Sequence, residues 1–554
     1  MTTYYGRYDH KKQPLAAHVW GHRLRTGQHW IEYMLEFLSV LSGFEYHFGQ
    51  GLLDRPDDED YQAKYRIPHR LGLRRFVFYD EREKSRHSHD TDATNELRRR
   101  LATLIHGADG RSDDAFVEQV RSLLRSFSAI EDDRSWFAKT LFPVHEAFLL
   151  WEGQRKRSSG AGLLATFEDA DAEIEFTTRN FFARGGELYY LIISAGTESQ
   201  PEKRQFISQR LKSLLTQQND NLGRIAHTID AAWYDQHSGN HTHSSGSLGW
   251  ILDPDCALYR QIADDLACFL DNDLDSLECL ELLAHLISFH IICYIYHRAH
   301  PASHAEGHAS GSCLEVCRPL LLVDLPGQQD GGVIREQSAG LLREQDDLQL
   351  RQARDMVSEK LYEWAGHVPS GDELSAYLID EANHAFQLKR SDLQALEGIQ
   401  AQYHITLDRE QLLQGYTSTI FDAMSAEFRK NFLGVHRKLG RAIGLIAPRK
   451  GPQNRYVLGD TLLKTLVMAM LPPSGQPQAQ LSFGAFLEKL YARYGIIVGP
   501  GEAHTTGLIE RLRINEEYYA RNRDMLRERM QRAGLLTQYS DATAMVQRRE
   551  AALL

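Results

Sequence analysis

The sequence contains no uninterrupted apolar run as long as a membrane-spanning helix. Its longest strongly apolar run, residues 286–295, spans ten positions and is interrupted by Ser288 and His290, whereas a spanning helix needs about twenty apolar residues. The first residues are polar and contain no apolar core of a secretory signal. We therefore expect a cytoplasmic protein without a membrane partner, in which the six cysteines are reduced thiols or metal ligands rather than disulfides.

Sequence signatures that would fix a reaction are also missing. There is no GxxxxGK[ST] phosphate loop, no HExxH zinc motif and no GxSxG nucleophile elbow. The acidic run 271–278 is similar to a calcium loop, but Ser276 and Leu282 occupy the positions of the required glycine and glutamate. Its acids are better explained as the start of a helix. Catalysis by residues from distant positions stays open, yet the sequence favours a binding protein over an enzyme.

What the sequence contains is typical of a large globular protein. The 554 residues are 42% apolar and 25% charged, a balance that excludes wholesale disorder. A chain of this length exceeds a single ordinary core. We predict a mainly α-helical fold with small β elements (α+β), divided into residues 1–155, 156–340, 341–445 and 446–554. The second unit would carry His/Cys-rich loops.

Hydrophobic periodicity predicts helices over most of the chain, beginning with an aromatic-rich helix at residues 28–41. A winged-helix-like unit is expected near the C-terminus, where two helices, a short strand and a further helix follow one another within residues 461–536. Strands are predicted where β-branched and aromatic residues cluster, at residues 71–81, 187–195, 318–325 and 495–499.

A basic segment opposes the acidic charge of the whole chain, which is −12. Eight basic residues and no acidic one lie between Glu427 and Asp460. Such a local field attracts polyanions, and arginine and lysine suit phosphate contacts. The simpler alternative is a solvated helix face or a patch paired with acidic residues of the same chain. The eight residues are Arg429, Lys430, Arg437, Lys438, Arg441, Arg449, Lys450 and Arg455.

A weaker second candidate for contact with nucleic acid or an acidic partner lies in the segment RNFFARGG, which contains Arg179 and Arg184. This segment lies between two predicted strands and ends in a Gly-Gly turn. Its two arginines are accompanied by two phenylalanines. We expect it to add to the basic surface, with less weight than the segment around residue 440.

Histidines and cysteines concentrate in the middle of the chain. All six cysteines lie between Cys256 and Cys317, and ten of the 25 histidines lie between His227 and His308. Thiolate and imidazole are preferred zinc ligands, so a structural zinc held by His300, His304, Cys313 and Cys317 is possible. The spacing matches no standard zinc finger, and a His-rich loop is the simpler interpretation.

Four segments together have a familiar sequence: LGLRRFVFYDE (71–81), RNFFARGGELYYLIISAGT (179–197), APRKGPQNRYVLGDTLLKTLVMAML (447–471) and FLEKLYARYGIIVG (486–499). They resemble large accessory proteins of bacterial antiphage defence systems of the methylation-associated or modification-dependent restriction type. The resemblance covers a minority of the chain and includes no catalytic signature. It implies a subunit that acts beside a methyltransferase, ATPase or nuclease.

These observations predict a non-catalytic component of a defence complex that binds double-stranded DNA or a protein partner through the basic segment. The first alternative is a metal-dependent nuclease or hydrolase that uses the Cys/His-rich middle region. The second is a scaffold that binds only proteins, with the aromatic N-terminal helix as its docking face. Against the scaffold, aromatic stripes at helical spacing usually face a core.

Overall fold

The computed structural model describes fourteen main segments, with single-residue gaps inside a few of them and shorter described pieces between. Within this part the fold is mainly α-helical with small β elements, which confirms the predicted fold class. The segments are residues 24–49, 63–80, 88–106, 114–130, 139–150, 185–234, 253–300, 317–325, 332–367, 372–403, 408–447, 454–472, 479–539 and 543–548.

Helices and strands are numbered here in chain order within the described residues. The helices are α1 (Trp30–Gly43), α2 (Leu71–Phe78), α3 (Ser88–His106), α4 (Asp114–Arg125), α5 (Gly185–Gly196), α6 (Pro201–Thr216), α7 (Asp220–Tyr234), α8 (Ala257–Leu270), α9 (Ser276–Ala299), α10 (Val333–Ala365), α11 (Asp372–Phe386), α12 (Arg390–Tyr403), α13 (Arg409–Glu427), α14 (Leu433–Ala442), α15 (Asp460–Met470), α16 (Phe483–Tyr494), α17 (Pro500–Thr505), α18 (Leu508–Leu512) and α19 (Glu516–Arg532). The strands are β1 (Lys64–Pro68), β2 (Ser128–Ile130), β3 (Thr140–Leu141), β4 (Gly153–Arg155), β5 (Ile174–Phe176), β6 (His243–Ser247), β7 (Leu321–Leu322), β8 (Gln480–Ser482), β9 (Ile496–Ile497), β10 (Leu536–Gln538) and β11 (Ala544–Gln547).

Helix α9 is the centre of the fold. The Asp275 carboxylate caps its first turn by accepting from the amides of Leu277 (3.1 Å) and Glu278 (3.4 Å), as the acidic run predicted. Helices α1, α5, α8, α10, α14 and α15 pack around it. A helix that is covered on all sides is apolar all round, and α9 is buried along almost its whole length.

Helix α9 also has the length and apolar character of a membrane span. Its mean hydropathy reaches 1.6, but 89% of that segment is buried inside the fold. The apolar side chains are therefore covered by neighbouring helices, as in the core helix of a protein that folds in water.

Helices α1 and α5 form a close pair next to α9. Helix α1 begins with a capping box in which His29 and Glu32 satisfy each other's backbone amides. At the contact, a Cβ on Gly186 would lie 2.4 Å from the backbone nitrogen of Phe37. The buried Glu36 carboxylate accepts from the Gly186 amide at 2.8 Å. Glycine is therefore required for the helix backbones to approach this closely.

Two predicted strands are helices. Residues 71–78 form α2 and residues 185–196 form α5. Both segments are rich in aromatic and β-branched residues, which favour strands on exposed or half-buried surfaces. In the fold they are buried on every side, and a continuous apolar run does not distinguish a buried strand from a buried helix.

The strands predicted at 318–325 and 495–499 are confirmed as a short parallel pair. Strand β7 pairs with β9 through Leu321 with Ile496 and Leu322 with Ile497. The buried Asn522 amide joins the ends of both strands, since it donates to the carbonyls of Val323 (2.9 Å) and Val498 (3.0 Å). This pair fixes α19 against the segment that leads into α10.

One hydrophobic core connects the described residues from Val19 to Val546. Helix α10 continues without a break through the predicted boundary between residues 340 and 341. The sequence-based division into four units stays a prediction. The packing shows that residues from all four intervals contribute side chains to the same core.

Candidate functional site

The basic segment is located on a long helical rod. Helix α13 runs into a π-helical turn, Phe428–Phe432, and continues as α14. Arg429 and Lys430 lie on the π turn, while Lys438 lies two turns farther on, and all three are exposed. A π turn inserts an extra residue into the helical repeat and is frequent at functional sites.

Two other basic residues of the segment are neutralised inside the protein. The Arg437 guanidinium donates to the Asp346 carboxylate on α10. Arg455 donates to Asp324, which is 1% exposed and also accepts from Arg335 at 3.2 Å. These arginines therefore hold helix α10 and the β7 strand end in place, and their charge is not available as a free surface charge.

The remaining predicted basic residues divide into two groups. Arg441 is half-buried and donates to the side-chain oxygen of Asn454 at 3.2 Å. Four others lie outside the described residues: Arg449, Lys450, Arg179 and Arg184. We define the basic helix surface as Arg429, Lys430 and Lys438. Within the described part of the chain, none of these three forms an ion pair.

The predicted metal ligands are only partly described. His304 and Cys313 lie outside the described residues. Cys317 is buried, and His300 follows the end of α9, where burial lowers the pKa of its imidazole. Among described residues, no group of three metal-ligating side chains converges. A structural zinc stays a prediction, which elemental analysis of the purified protein tests.

Sequence reasoning missed a buried aspartate–histidine–tyrosine chain beside the basic helix surface. His436 Nε2 lies 3.0 Å from Asp346 Oδ1, and His436 Nδ1 lies 3.0 Å from the Tyr296 hydroxyl. Burial lowers the pKa of His436, so the ring is neutral near pH 7. It then donates from Nε2 to the carboxylate and accepts from the tyrosine.

A second chain of the same type lies deeper in the core. His290 Nδ1 is 3.0 Å from the Tyr189 hydroxyl, and His290 Nε2 is 3.4 Å from Asp265 Oδ2. Asp265 accepts from Arg493 and, at 2.9 Å, from the Tyr494 hydroxyl. Both chains are shielded from solvent. They link helices rather than face a substrate.

An open cleft lies on the N-terminal side of the molecule, between the end of α1, strand β1 and helices α6 and α7. Its volume is about 660 Å³, within the usual range of ligand sites. Its lining includes acidic residues, basic residues and a histidine, seven in all: Glu45, Arg66, Arg70, Glu146, Lys212, His227 and Asp230. Tyr46 forms part of the wall and donates to Glu146 Oε2 at 2.9 Å.

Burial changes the protonation of two groups in this N-terminal cleft. It raises the pKa of Asp230 to about 6, although Arg70 and backbone amides oppose the shift. It lowers the pKa of His227, an effect that Arg70 reinforces. Near neutral pH the cleft therefore contains a neutral imidazole and a carboxylate that titrates close to the physiological range.

Little in the sequence could have identified the cleft. Its residues come from α1, β1, α6, α7 and the short helical turn at Glu146, which lie far apart in the chain, and no spacing motif connects them. The available signal was the end of the helix predicted at residues 28–41, which gives one edge of the cleft. The structure adds that Glu45 and Tyr46 both have left-handed backbone angles, with φ of 53° and 66°. Non-glycine residues adopt this conformation rarely.

Comparisons with protein-family models, curated proteins and solved structures find no match to this chain. The candidate sites are therefore defined by their own geometry.

Proposed function

We propose that this protein binds double-stranded DNA through the basic helix surface, as a cytoplasmic subunit of an antiphage defence complex. The observation that carries the DNA contact is the exposure of Arg429, Lys430 and Lys438 on one helical rod without an ion-pair partner among described residues. The defence setting, with a methyltransferase, ATPase or nuclease as partner, rests on the resemblance of the four sequence segments.

The spacing of the three residues supports phosphate contacts. Residues 429 to 438 extend over about 13 Å of helix axis at 1.5 Å per residue. The major groove is about 12 Å wide, so a rod of this length can reach phosphates on both of its edges. Contacts of this kind position a protein on DNA without reading sequence.

The acidic total charge limits the strength of this contact. At net −12 the protein as a whole repels a polyanion, and the basic helix surface attracts it only at short range. We therefore expect binding that is weak alone and strongly weakened by salt. With three phosphate contacts, the logarithm of the binding constant would fall with a slope of about −2.7 against the logarithm of salt concentration.

The test is a charge reversal, Arg429→Glu, Lys430→Glu and Lys438→Glu in one variant, measured by fluorescence anisotropy with a DNA duplex over a salt series. We expect loss of binding and an unchanged circular dichroism spectrum, since all three side chains are exposed. A matched control reverses Lys64, Arg390 and Arg513, which are also exposed and form no ion pair with described residues. An equal loss of DNA binding in the control variant would show that the effect comes from the net charge of the protein and not from the basic helix surface.

Two other results would contradict the proposal. In the first, the wild-type protein does not bind duplex DNA at low salt, but it retains an acidic protein and the charge reversal abolishes that retention. This result would assign the basic helix surface to a protein partner. Binding that survives the reversal with the same salt dependence would place the DNA contact elsewhere.

We also propose a second DNA contact in the C-terminal part of the chain, where the sequence predicts a winged-helix-like unit. Strands β10, β11 and β8 form an antiparallel sheet in the order β10-β11-β8, in which β10 and β11 follow helix α19 directly. Tyr539 lies at the turn after β10 and is 63% exposed. An exposed aromatic at a hairpin tip suits stacking or groove contact. In the same anisotropy assay, Tyr539→Ala tests this contact separately.

A further inference from the structure

We propose that the N-terminal cleft binds a small phosphorylated molecule that also carries hydroxyl groups, of the sugar-phosphate or mononucleotide class. This site shares no residue with the basic helix surface and does not depend on DNA binding. Four features support it. One wall of the cleft has a strained backbone, two buried polar atoms lack hydrogen-bond partners, two cations lack ion-pair partners among described residues, and carboxylates lie beside these cations.

One wall of the cleft has a strained backbone conformation. Glu45 and Tyr46 are consecutive left-handed residues. Their strain is maintained by several bonds, including the Tyr46 amide to the Leu41 carbonyl at 2.8 Å and the Tyr46 hydroxyl to Glu146 at 2.9 Å. Ser208 on α6 donates to the Tyr46 carbonyl. Strain that neighbours enforce in this way is concentrated at ligand sites.

Asp230 and Arg70 at the cleft have polar atoms without hydrogen-bond partners. Asp230 is 6% exposed, and its Oδ1 accepts from the Leu73 amide at 2.8 Å. Its Oδ2 accepts no hydrogen bond from any described residue, and Arg70 Nε donates none to them. The nearest approach of the two side chains is 3.8 Å, too long for a hydrogen bond. A ligand hydroxyl can satisfy Oδ2, and a phosphate oxygen can satisfy the guanidinium.

The charges of the opening indicate an anionic group on the ligand. Arg66 on β1 and Lys212 on α6 are exposed and lie on different walls of the cleft. Neither forms an ion pair within the described residues, although Lys212 lies 5.8 Å from the centre of the Tyr46 ring. Together with Arg70 they surround the cleft with three positive charges, which suits a phosphate.

The carboxylates determine the rest of the ligand. A site for inorganic phosphate alone would be weakened by Glu45 and Asp230, because like charges repel. Carboxylates accept hydrogen bonds from sugar hydroxyls, as the ribose contact of dinucleotide sites illustrates. His227 on α7 is neutral near pH 7 and can donate one further hydrogen bond. Cations and carboxylates in one cleft therefore fit a phosphate joined to a hydroxyl-bearing group.

The experiment is isothermal titration of the full chain with ribose 5-phosphate, glucose 6-phosphate and adenosine monophosphate, with inorganic phosphate and free ribose as partial ligands. We expect saturable binding of at least one phosphorylated sugar, at least tenfold tighter than either partial ligand. Arg66→Ala with Lys212→Ala should weaken that binding tenfold or more. Asp230→Asn should weaken binding of the sugar phosphate, because a hydroxyl acceptor is lost, and should strengthen binding of inorganic phosphate, because a like charge is removed. Arg390→Ala, at an exposed residue outside both sites, is the control and should change none of these values.

Three results would overturn the inference. The first is the absence of saturable binding by all three phosphorylated probes at millimolar concentration. The second is binding that the double variant leaves unchanged. The third is inorganic phosphate binding as tightly as every sugar phosphate. Because the DNA assay uses other residues, its failure would leave these results unaffected, and the reverse also holds.

Discussion

Asp230 is a residue whose buried carboxyl group lowers the free energy of unfolding. Burial raises the pKa of its carboxyl to about 6 from 3.8, so its ionised form is disfavoured in the folded protein. The destabilisation is complete above pH 6 and disappears as the pH falls toward 3.8. A protein that keeps such a group accepts a loss of stability, which is common where a side chain serves a ligand.

We expect Asp230→Asn to raise the free energy of unfolding at pH 8 by about 1–3 kcal/mol, because one pKa unit corresponds to about 1.4 kcal/mol. Asparagine keeps an oxygen that can accept from the Leu73 amide. The gain should shrink as the pH is lowered toward 4, where the wild-type carboxyl is neutral. Urea unfolding at both pH values measures this, and a gain independent of pH would contradict it.

At the same scale, the basic segment shows what residue type alone cannot settle. Arg437, Lys438 and Arg455 are equivalent in a charge count, yet two of them are paired with Asp346 and Asp324 and the third is exposed. The partners lie about 90 to 130 residues away in sequence. Only the packing of α10 and β7 against this segment decides which charges remain at the surface.

At the level of elements, two helical glycines that are equivalent in the sequence differ in how closely a neighbouring helix packs against them. Gly186 on α5 and Gly398 on α12 both lie inside helices. A Cβ on Gly186 would meet the backbone of α1 at 2.4 Å, whereas a Cβ on Gly398 would meet nothing within 4 Å. The same substitution should therefore have opposite effects at the two positions.

We expect Gly186→Ala to destabilise the protein by about 1–3 kcal/mol, since the helix backbones must move apart. Gly398→Ala should stabilise it by about 0.5–1 kcal/mol, because alanine has the higher helix propensity. Thermal unfolding of the two variants beside the wild type measures both shifts. A stabilising Gly186→Ala would show that α1 and α5 are not packed as described.

Element type was predictable where a helix has one apolar face or where polar residues cap it. Helix α1 and the Asp275 cap of α9 agree with the sequence patterns. Helices α2 and α5 were predicted as strands because aromatic and β-branched side chains dominate them. Burial on all faces overrides such local preferences, and the sequence does not display the neighbours that cause it.

For the whole molecule, α9 connects regions that the sequence presents as separate units. It packs against α1 and α5 from the N-terminal half and against α10, α14 and α15 from the C-terminal half. The two buried aspartate–histidine–tyrosine chains reinforce these contacts, since Tyr296 and His290 both project from α9. Removing one partner of such a chain leaves a buried polar group unsatisfied.

We expect the described residues to unfold in one cooperative transition despite the length of the chain. Calorimetry should give a van't Hoff enthalpy close to the calorimetric enthalpy, which is the test of a two-state process. Limited proteolysis should not cut at residue 340, because α10 continues through it. Two resolved unfolding transitions, or a stable proteolytic fragment ending near residue 340, would support the predicted division into independent units.

The amino-acid sequence by itself determined the fold class, the acidic total charge, the central apolar helix and the basic segment, because these depend on composition and local periodicity. Tertiary structure decided which basic side chains stay exposed, which strand-like segments are helical and where the cleft lies. Those features depend on contacts between residues far apart in the chain, whose proximity is set by packing rather than by spacing.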